Sequence, residues 1–82
     1  CINGTVLYAN DIFTTAKGKI TLQNASSTAK YYYRQGYKTA AQMKYADTFE
    51  ADTGFNAAQD GYYTILAREN NKKAYLLYVY VN

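Results

Sequence analysis

The sequence predicts a small all-β domain, an antiparallel β-sandwich of about six or seven strands with one short helical turn. Two runs near the C-terminal end, residues 61–67 and 74–81, are rich in Tyr, Val, Ile and Thr, which suit a half-buried pleated surface. Residues 69–72 between them form a polar stretch with two Asn, a residue that tolerates positive φ, so a long hairpin is predicted. Short strands separated by Gly, Asn and Asp favour a sandwich over a parallel sheet.

The first part of the chain contains two less regular candidates for strands. Residues 4–9 are a candidate strand, whereas residues 12–17 indicate no particular structure. Residues 18–23 alternate polar and apolar side chains, which predicts a strand with Ile20 and Leu22 on one face.

The run of three tyrosines belongs to the next predicted strand, residues 28–34. Alternation places Tyr31 and Tyr33 on one face, which we interpret as core. Tyr32 lies on the opposite face together with charged neighbours. This pattern predicts a central strand with a charged outer face.

The middle of the chain departs from the strand period. Residues 39–46 contain the helix formers Ala, Gln, Met and Lys, which predicts a short helical turn that Thr39 could cap. Residues 51–54 predict a turn, residues 55–58 a brief strand, and residues 59–61 a tight turn into the hairpin.

Composition restricts the classes of function. The chain has 82 residues, which predicts one domain, residues 1–82, without a cleft between domains. It has no His and one Cys, so an internal disulfide, an ordinary zinc site and a His general base are excluded. The net charge is +3, but the nine Lys and Arg residues are scattered along the sequence. Because phosphate binding usually requires a concentrated basic patch, this argues against a nucleic-acid partner. No run approaches the ~20 apolar residues of a membrane span, and we predict a non-enzymatic protein without cofactors.

The C-terminal hairpin resembles the end of bacterial immunoglobulin-like (Big-type) domains. In residues 61–70 a turn ending in Gly leads to a Tyr-Thr-Ile pattern, an Ala and an acidic, Asn-containing turn, and residues 73–81 supply a last alternating strand. The resemblance extends loosely over residues 18–81. It implies an immunoglobulin-like sandwich that acts as a spacer, adhesion or protein-contact module of a secreted or cell-surface bacterial protein. It transfers no catalytic residues.

The alternation also predicts which side chains face outward. The resemblance places Tyr63, Ile65 and Ala67 inside, and Tyr75, Leu77, Val79 and Val81 would face inward on the last strand. If the strand holding Tyr32 neighbours the hairpin, an exposed row of apolar side chains results, and contiguous exposed apolar surface usually marks a contact site. This candidate contact surface consists of Tyr32, Tyr62, Leu66, Tyr78 and Tyr80. Alternatively, the tyrosines only stabilise the sheet through cross-strand pairs.

Other candidate sites carry weaker signals. Cys1 could be lipidated, could form an intermolecular disulfide, or could mark where a fragment begins. Two sequons occur, at residues 3–5 and 24–26. Asp47, Glu50 and Asp52 lack the regular spacing of a calcium loop, so we interpret them as solvated charge and predict no metal.

Two alternative functions remain open alongside the spacer or adhesion module. A carbohydrate-binding accessory module would bind polysaccharide through the outward tyrosines. A self-assembling, filament-like extracellular subunit would associate through an edge strand or through Cys1. The predicted partners are therefore neighbouring domains or another protein, a polysaccharide, or a second copy.

Overall fold

The computed structural model describes Ile2 and residues 11–23, 29–69 and 74–82, and these residues are all-β with one short 3₁₀ helix. The strands are β1 (Ile12–Thr15), β2 (Gly18–Ile20), β3 (Ala29–Gln35), β4 (Asp47–Phe49), β5 (Phe55–Ala57), β6 (Gly61–Glu69) and β7 (Tyr75–Val81), and the 3₁₀ helix spans Ala41–Tyr45. The predicted all-β class is confirmed. Cys1, the predicted strand at 4–9, both sequons and residues 70–72 of the predicted hairpin turn at 69–72 lie outside the described residues.

The strands form two sheets. Five of them pair in the order β1-β7-β6-β3-β4, and β2 pairs with β5 in a second sheet. The predicted hairpin is confirmed, because β6 and β7 pair antiparallel from Gly61 opposite Val81 to Ala67 opposite Tyr75. The strand that holds Tyr32, β3, does lie beside this hairpin, because it pairs antiparallel with β6.

The two edge strands of the larger sheet are not predicted from the sequence. β1 has four residues and pairs with β7 in parallel, and β4 has three residues and pairs antiparallel with β3. Such short strands are held by hydrogen bonds to a neighbouring strand, so their own residue pattern carries little signal. From the sequence, Asp47 is interpreted as a solvated charge in a loop. Its side chain is exposed, but the assignment to a loop is wrong, because Asp47 begins β4.

The two sheets enclose one hydrophobic core. Ile20, Phe55 and Ala57 of the small sheet pack with side chains of β6 and β7. The ring of Tyr33 stacks on that of Phe55, with ring centroids 4.1 Å apart and an interplanar angle of 6°. The fully or nearly fully buried core members are Ile2, Ile20, Leu22, Phe55, Ala57, Tyr63, Ile65, Val79 and Val81.

Most inward-facing predictions are confirmed by this core. Tyr31, Tyr33 and Leu77 are partly buried against it. Tyr75 is an exception, since it begins β7 beside the hairpin turn and is 51% exposed. The inward prediction is wrong for this residue because the core covers β7 only from Leu77 onward.

Candidate contact surface

The outer face of the five-stranded sheet is partly covered by residues 36–46, which we call the covering segment. Its first anchor is Thr64 of β6, whose side chain is fully buried. The Thr64 hydroxyl donates to the carbonyl oxygen of Gly36 at 2.6 Å and accepts from the backbone N–H of Lys38 at 2.9 Å. One hydroxyl on the sheet therefore satisfies two backbone groups of the covering segment.

The second anchor is the 3₁₀ helix. Met43 is 3% exposed and packs this helix against the sheet, and a guanidinium nitrogen of Arg34 donates to the carbonyl oxygen of Gln42 at 2.5 Å. The predicted helical turn is confirmed, but Thr39 does not cap it. Ala40 occupies the N-cap position without a side-chain hydrogen bond, and the Thr39 backbone N–H donates instead to the Gln42 side chain.

The covering segment changes the predicted contact surface. Cross-strand pairing brings Tyr32 opposite Leu66 and Tyr62 opposite Tyr80. The expected exposure is wrong for two members, since Leu66 is 3% and Tyr78 is 5% exposed. Tyr32, Tyr62 and Tyr80 are half-buried. The predicted exposed row is therefore split into two smaller sites.

The first site, which we call the tyrosine platform, consists of Tyr37, Tyr62, Tyr78 and Tyr80. The ring of Tyr37 lies flat on that of Tyr78, with centroids 4.2 Å apart and an angle of 8°, and meets Tyr62 edge-on at 5.3 Å. Tyr62 contacts Tyr80 at 4.9 Å. Tyr37 is 59% exposed, so the platform presents an aromatic ring to solvent while its inner ring is held in the protein.

The phenol of Tyr78 is held between the sheet and the covering segment. Its hydroxyl donates to the carbonyl oxygen of Lys38 at 3.3 Å. Burial raises the pKa of Tyr78 above the ordinary value of 10.0, and the charge of Tyr37 and a hydrogen bond with it act in the same direction. The folded state therefore favours the neutral phenol of Tyr78.

We expect this raised pKa to make the free energy of unfolding decrease in alkaline solution. The unfolded chain releases the Tyr78 proton near pH 10.0, whereas the folded chain retains it. The contribution is thus fully present below pH 10.0 and is lost as the pH rises through the higher folded-state pKa. Urea unfolding from about pH 8 to about pH 11 measures the decline. Tyr78→Phe should reduce the decline of the free energy of unfolding with pH, whereas Tyr45→Phe, at a 79% exposed position, should not. The same pH dependence in both variants would contradict the expectation.

The second site, which we call the basic hollow, lies on the same sheet face beside the 3₁₀ helix. It is a surface hollow of about 350 Å³ lined by Tyr32, Met43, Lys44, Leu66 and Arg68, with two alanines of the covering segment. Leu66 and Met43 are buried at its floor, whereas Lys44 and Arg68 are exposed. The hollow therefore combines an apolar floor with cationic edges.

Sequence reasoning missed the residues that the covering segment contributes. Tyr37 and Lys44 were not candidates, because the alternation that locates strand faces does not extend into residues 36–46. A weak signal did exist. Met43 is the single methionine, and it lies in a helical stretch that needs a buried side. Ile12, 49% exposed and opposite Tyr78 on β1, also adds apolar surface beside the platform.

Other kinds of site find no support in the part of the chain that the structure describes. There, no group of three or more carboxylate, thiol or imidazole side chains could hold a metal ion. Among the same residues, no helix has the length and apolar character to cross a membrane. Comparisons with protein-family models, curated proteins and solved structures find no match to this chain. The two sites on the outer sheet face thus carry the functional argument.

Proposed function

We propose that this chain is a non-catalytic, immunoglobulin-like module of a secreted or cell-surface bacterial protein. The module acts by contacting another protein through the tyrosine platform. The observation that carries the proposal is the stacking of Tyr37 on Tyr78. An exposed aromatic side chain in a fixed orientation loses little conformational freedom on binding, which is why tyrosines are enriched at protein interfaces.

Two features support the immunoglobulin-like assignment. The sheet order places β4, β3, β6 and β7 side by side, opposite a sheet that contains β2 and β5, as in the two sheets of such sandwiches. The hydroxyl of Tyr63, near the start of β6, accepts a hydrogen bond from the backbone N–H of Gln59 at 3.1 Å. A tyrosine at the start of the penultimate strand that bonds four residues upstream matches the tyrosine corner of that fold.

The contact function is supported by the composition of the platform and its surroundings. Tyr62 contacts the Tyr37 ring and is itself in contact with Tyr80, and Ile12 extends the apolar surface toward the edge strand β1. Tyrosine and apolar side chains such as these are typical of the buried centre of an interface. A second candidate function, binding of polysaccharide, is favoured by the flat, open face of Tyr37, on which a sugar ring could stack.

A crosslinking experiment tests the proposal. Tyr37 is replaced by the photo-reactive p-benzoylphenylalanine in cells that produce the protein at its native site, and the products formed on irradiation are identified by mass spectrometry. Tyr75, 51% exposed at the start of β7 and part of neither the platform nor the hollow, receives the same replacement as a matched control. We expect crosslinks from position 37 to a defined polypeptide segment and none of comparable yield from position 75.

The outcomes separate the candidate functions. A crosslink from position 37 to a segment of another protein or a neighbouring domain supports the proposal. A product that joins two copies of this chain supports the self-assembling subunit, and a product that carries sugar supports the polysaccharide function. Equal yields from positions 37 and 75 would contradict a specific contact at the platform.

A further inference from the structure

Three positively charged side chains lie at or beside the basic hollow. Lys30 of β3 lies directly opposite Arg68 of β6, and Lys44 lines the hollow together with Arg68. All three side chains are exposed. Among the residues that the structure describes, none of the three forms an ion pair with a carboxylate. Like charges directly opposite each other in an antiparallel pair destabilise the sheet, so a bound anion would relieve a repulsion that the fold maintains.

The floor of the hollow indicates what accompanies the anion. Leu66 and Met43 are each 3% exposed, and Ala40 and Ala41 complete an apolar lining beside the half-buried ring of Tyr32. Among the described residues that line the hollow, none has a carboxylate or amide side chain, and the Tyr32 hydroxyl is the single side-chain acceptor for the hydroxyls of a sugar. An aliphatic or aromatic side chain, in contrast, would be buried against the apolar floor.

We propose that the basic hollow binds an acidic segment of a partner protein, with one apolar side chain on the floor and neighbouring Asp or Glu carboxylates against Arg68 and Lys44. The planar guanidinium of Arg68 can hold a carboxylate through two parallel hydrogen bonds, and Lys44 and Lys30 supply further positive charge. The volume of about 350 Å³ is sufficient for a side chain with its flanking backbone. The inference rests on the protein-contact function proposed above but uses residues outside the tyrosine platform.

The single methionine of the chain provides a specific reporter for the test. The protein is labelled with ¹³C at the methionine methyl group, so that Met43 at the floor gives one resonance. A short capped peptide of alternating Asp and Leu is titrated into it, and a peptide with Asn in place of each Asp serves as the matched probe. We expect the acidic peptide to shift the Met43 resonance in a saturable manner and the Asn peptide to bind at least about five-fold more weakly.

Two variants locate the anion-binding group. Arg68→Ser should raise the dissociation constant of the acidic peptide about five-fold or more. Lys17→Ser removes the same charge at a 57% exposed side chain beside Asp60, in the turn between β1 and β2, and should leave the dissociation constant nearly unchanged. Urea unfolding of both variants checks that each is as stable as the parent chain before peptide is added.

Three results would overturn the proposal. The first is a Met43 resonance that the acidic peptide does not shift. The second is equal weakening by Arg68→Ser and Lys17→Ser, which would indicate attraction to net charge alone. The third is a shift caused by soluble polygalacturonate but not by the peptide, which would assign the hollow to an acidic polysaccharide. If any of these results is obtained while crosslinking from position 37 persists, the hollow does not bind an acidic segment of a partner protein. The contact function proposed for the tyrosine platform is then unaffected.

Discussion

Replacement of Gly54 by alanine is expected to lower the free energy of unfolding by about 3 to 5 kcal/mol. Gly54 has a φ of +74°, and a Cβ atom built on it would lie 1.9 Å from the carbonyl oxygen of Ile20 and 2.8 Å from the carbonyl carbon. Both are backbone atoms of β2, so no side-chain rotation can relieve the overlap. The turn before β5 would have to move away from β2, and the pairing of Ile20 with Phe55 would weaken.

Gly61→Ala is the matched control for this prediction. Gly61 also has a positive φ, +111°, but a Cβ atom there would meet nothing within 4 Å. Gly61→Ala therefore introduces backbone strain without steric overlap. We expect it to lower the free energy of unfolding by only about 1 to 2 kcal/mol. Urea unfolding of both variants measures the difference, and amide NMR shifts of Ile20 and Phe55 locate it. Equal destabilisation by the two substitutions would show that the close approach of Gly54 to β2 carries no cost of its own.

Thr64→Val is expected to destabilise the chain by removing the anchor of the covering segment. Valine has nearly the shape of threonine, but it removes the hydroxyl that serves the Gly36 carbonyl and the Lys38 N–H. Two backbone groups then lose their partner at a fully buried position, which we expect to cost about 2 to 3 kcal/mol. The covering segment should loosen, and the Lys38 amide should exchange with solvent hydrogen faster.

Thr64→Ser separates the hydrogen bonds from the packing. Serine keeps the hydroxyl and loses one methyl group, so its cost should be about 1 kcal/mol. Protection of the Lys38 amide should stay close to that of the parent chain. If serine and valine destabilise the chain equally, or if the Lys38 amide is equally protected in both, then the hydroxyl does not anchor the covering segment.

The alternation of side chains was sufficient to predict the centre of this fold. Ile65, Val79 and Val81 are fully buried, and Tyr33 stacks within the core, as the two-residue period of their strands predicts. The hairpin of β6 and β7 followed from the same local pattern. The period is local because successive side chains of a strand point to opposite faces whatever the rest of the chain does.

The candidate sites were predicted only in part. Tyr32, Tyr62 and Tyr80 lie on the outer sheet face at half-buried positions, where the alternation places them. Whether Leu66 and Tyr78 reach solvent depends on contacts across long separations in sequence: Thr64 bonds Gly36 across 28 residues, and Tyr78 bonds Lys38 across 40. No local pattern reports such contacts.

What the sequence by itself determined is thus the all-β class, the C-terminal hairpin and most of the side chains that enter the core. The tertiary structure decided the edge strands β1 and β4, the path of residues 36–46 over the sheet, and the division of the outer face into the tyrosine platform and the basic hollow. The physical reason is that a strand pattern specifies which side chains share a face. Which part of the chain covers that face depends on distant hydrogen bonds and buried contacts.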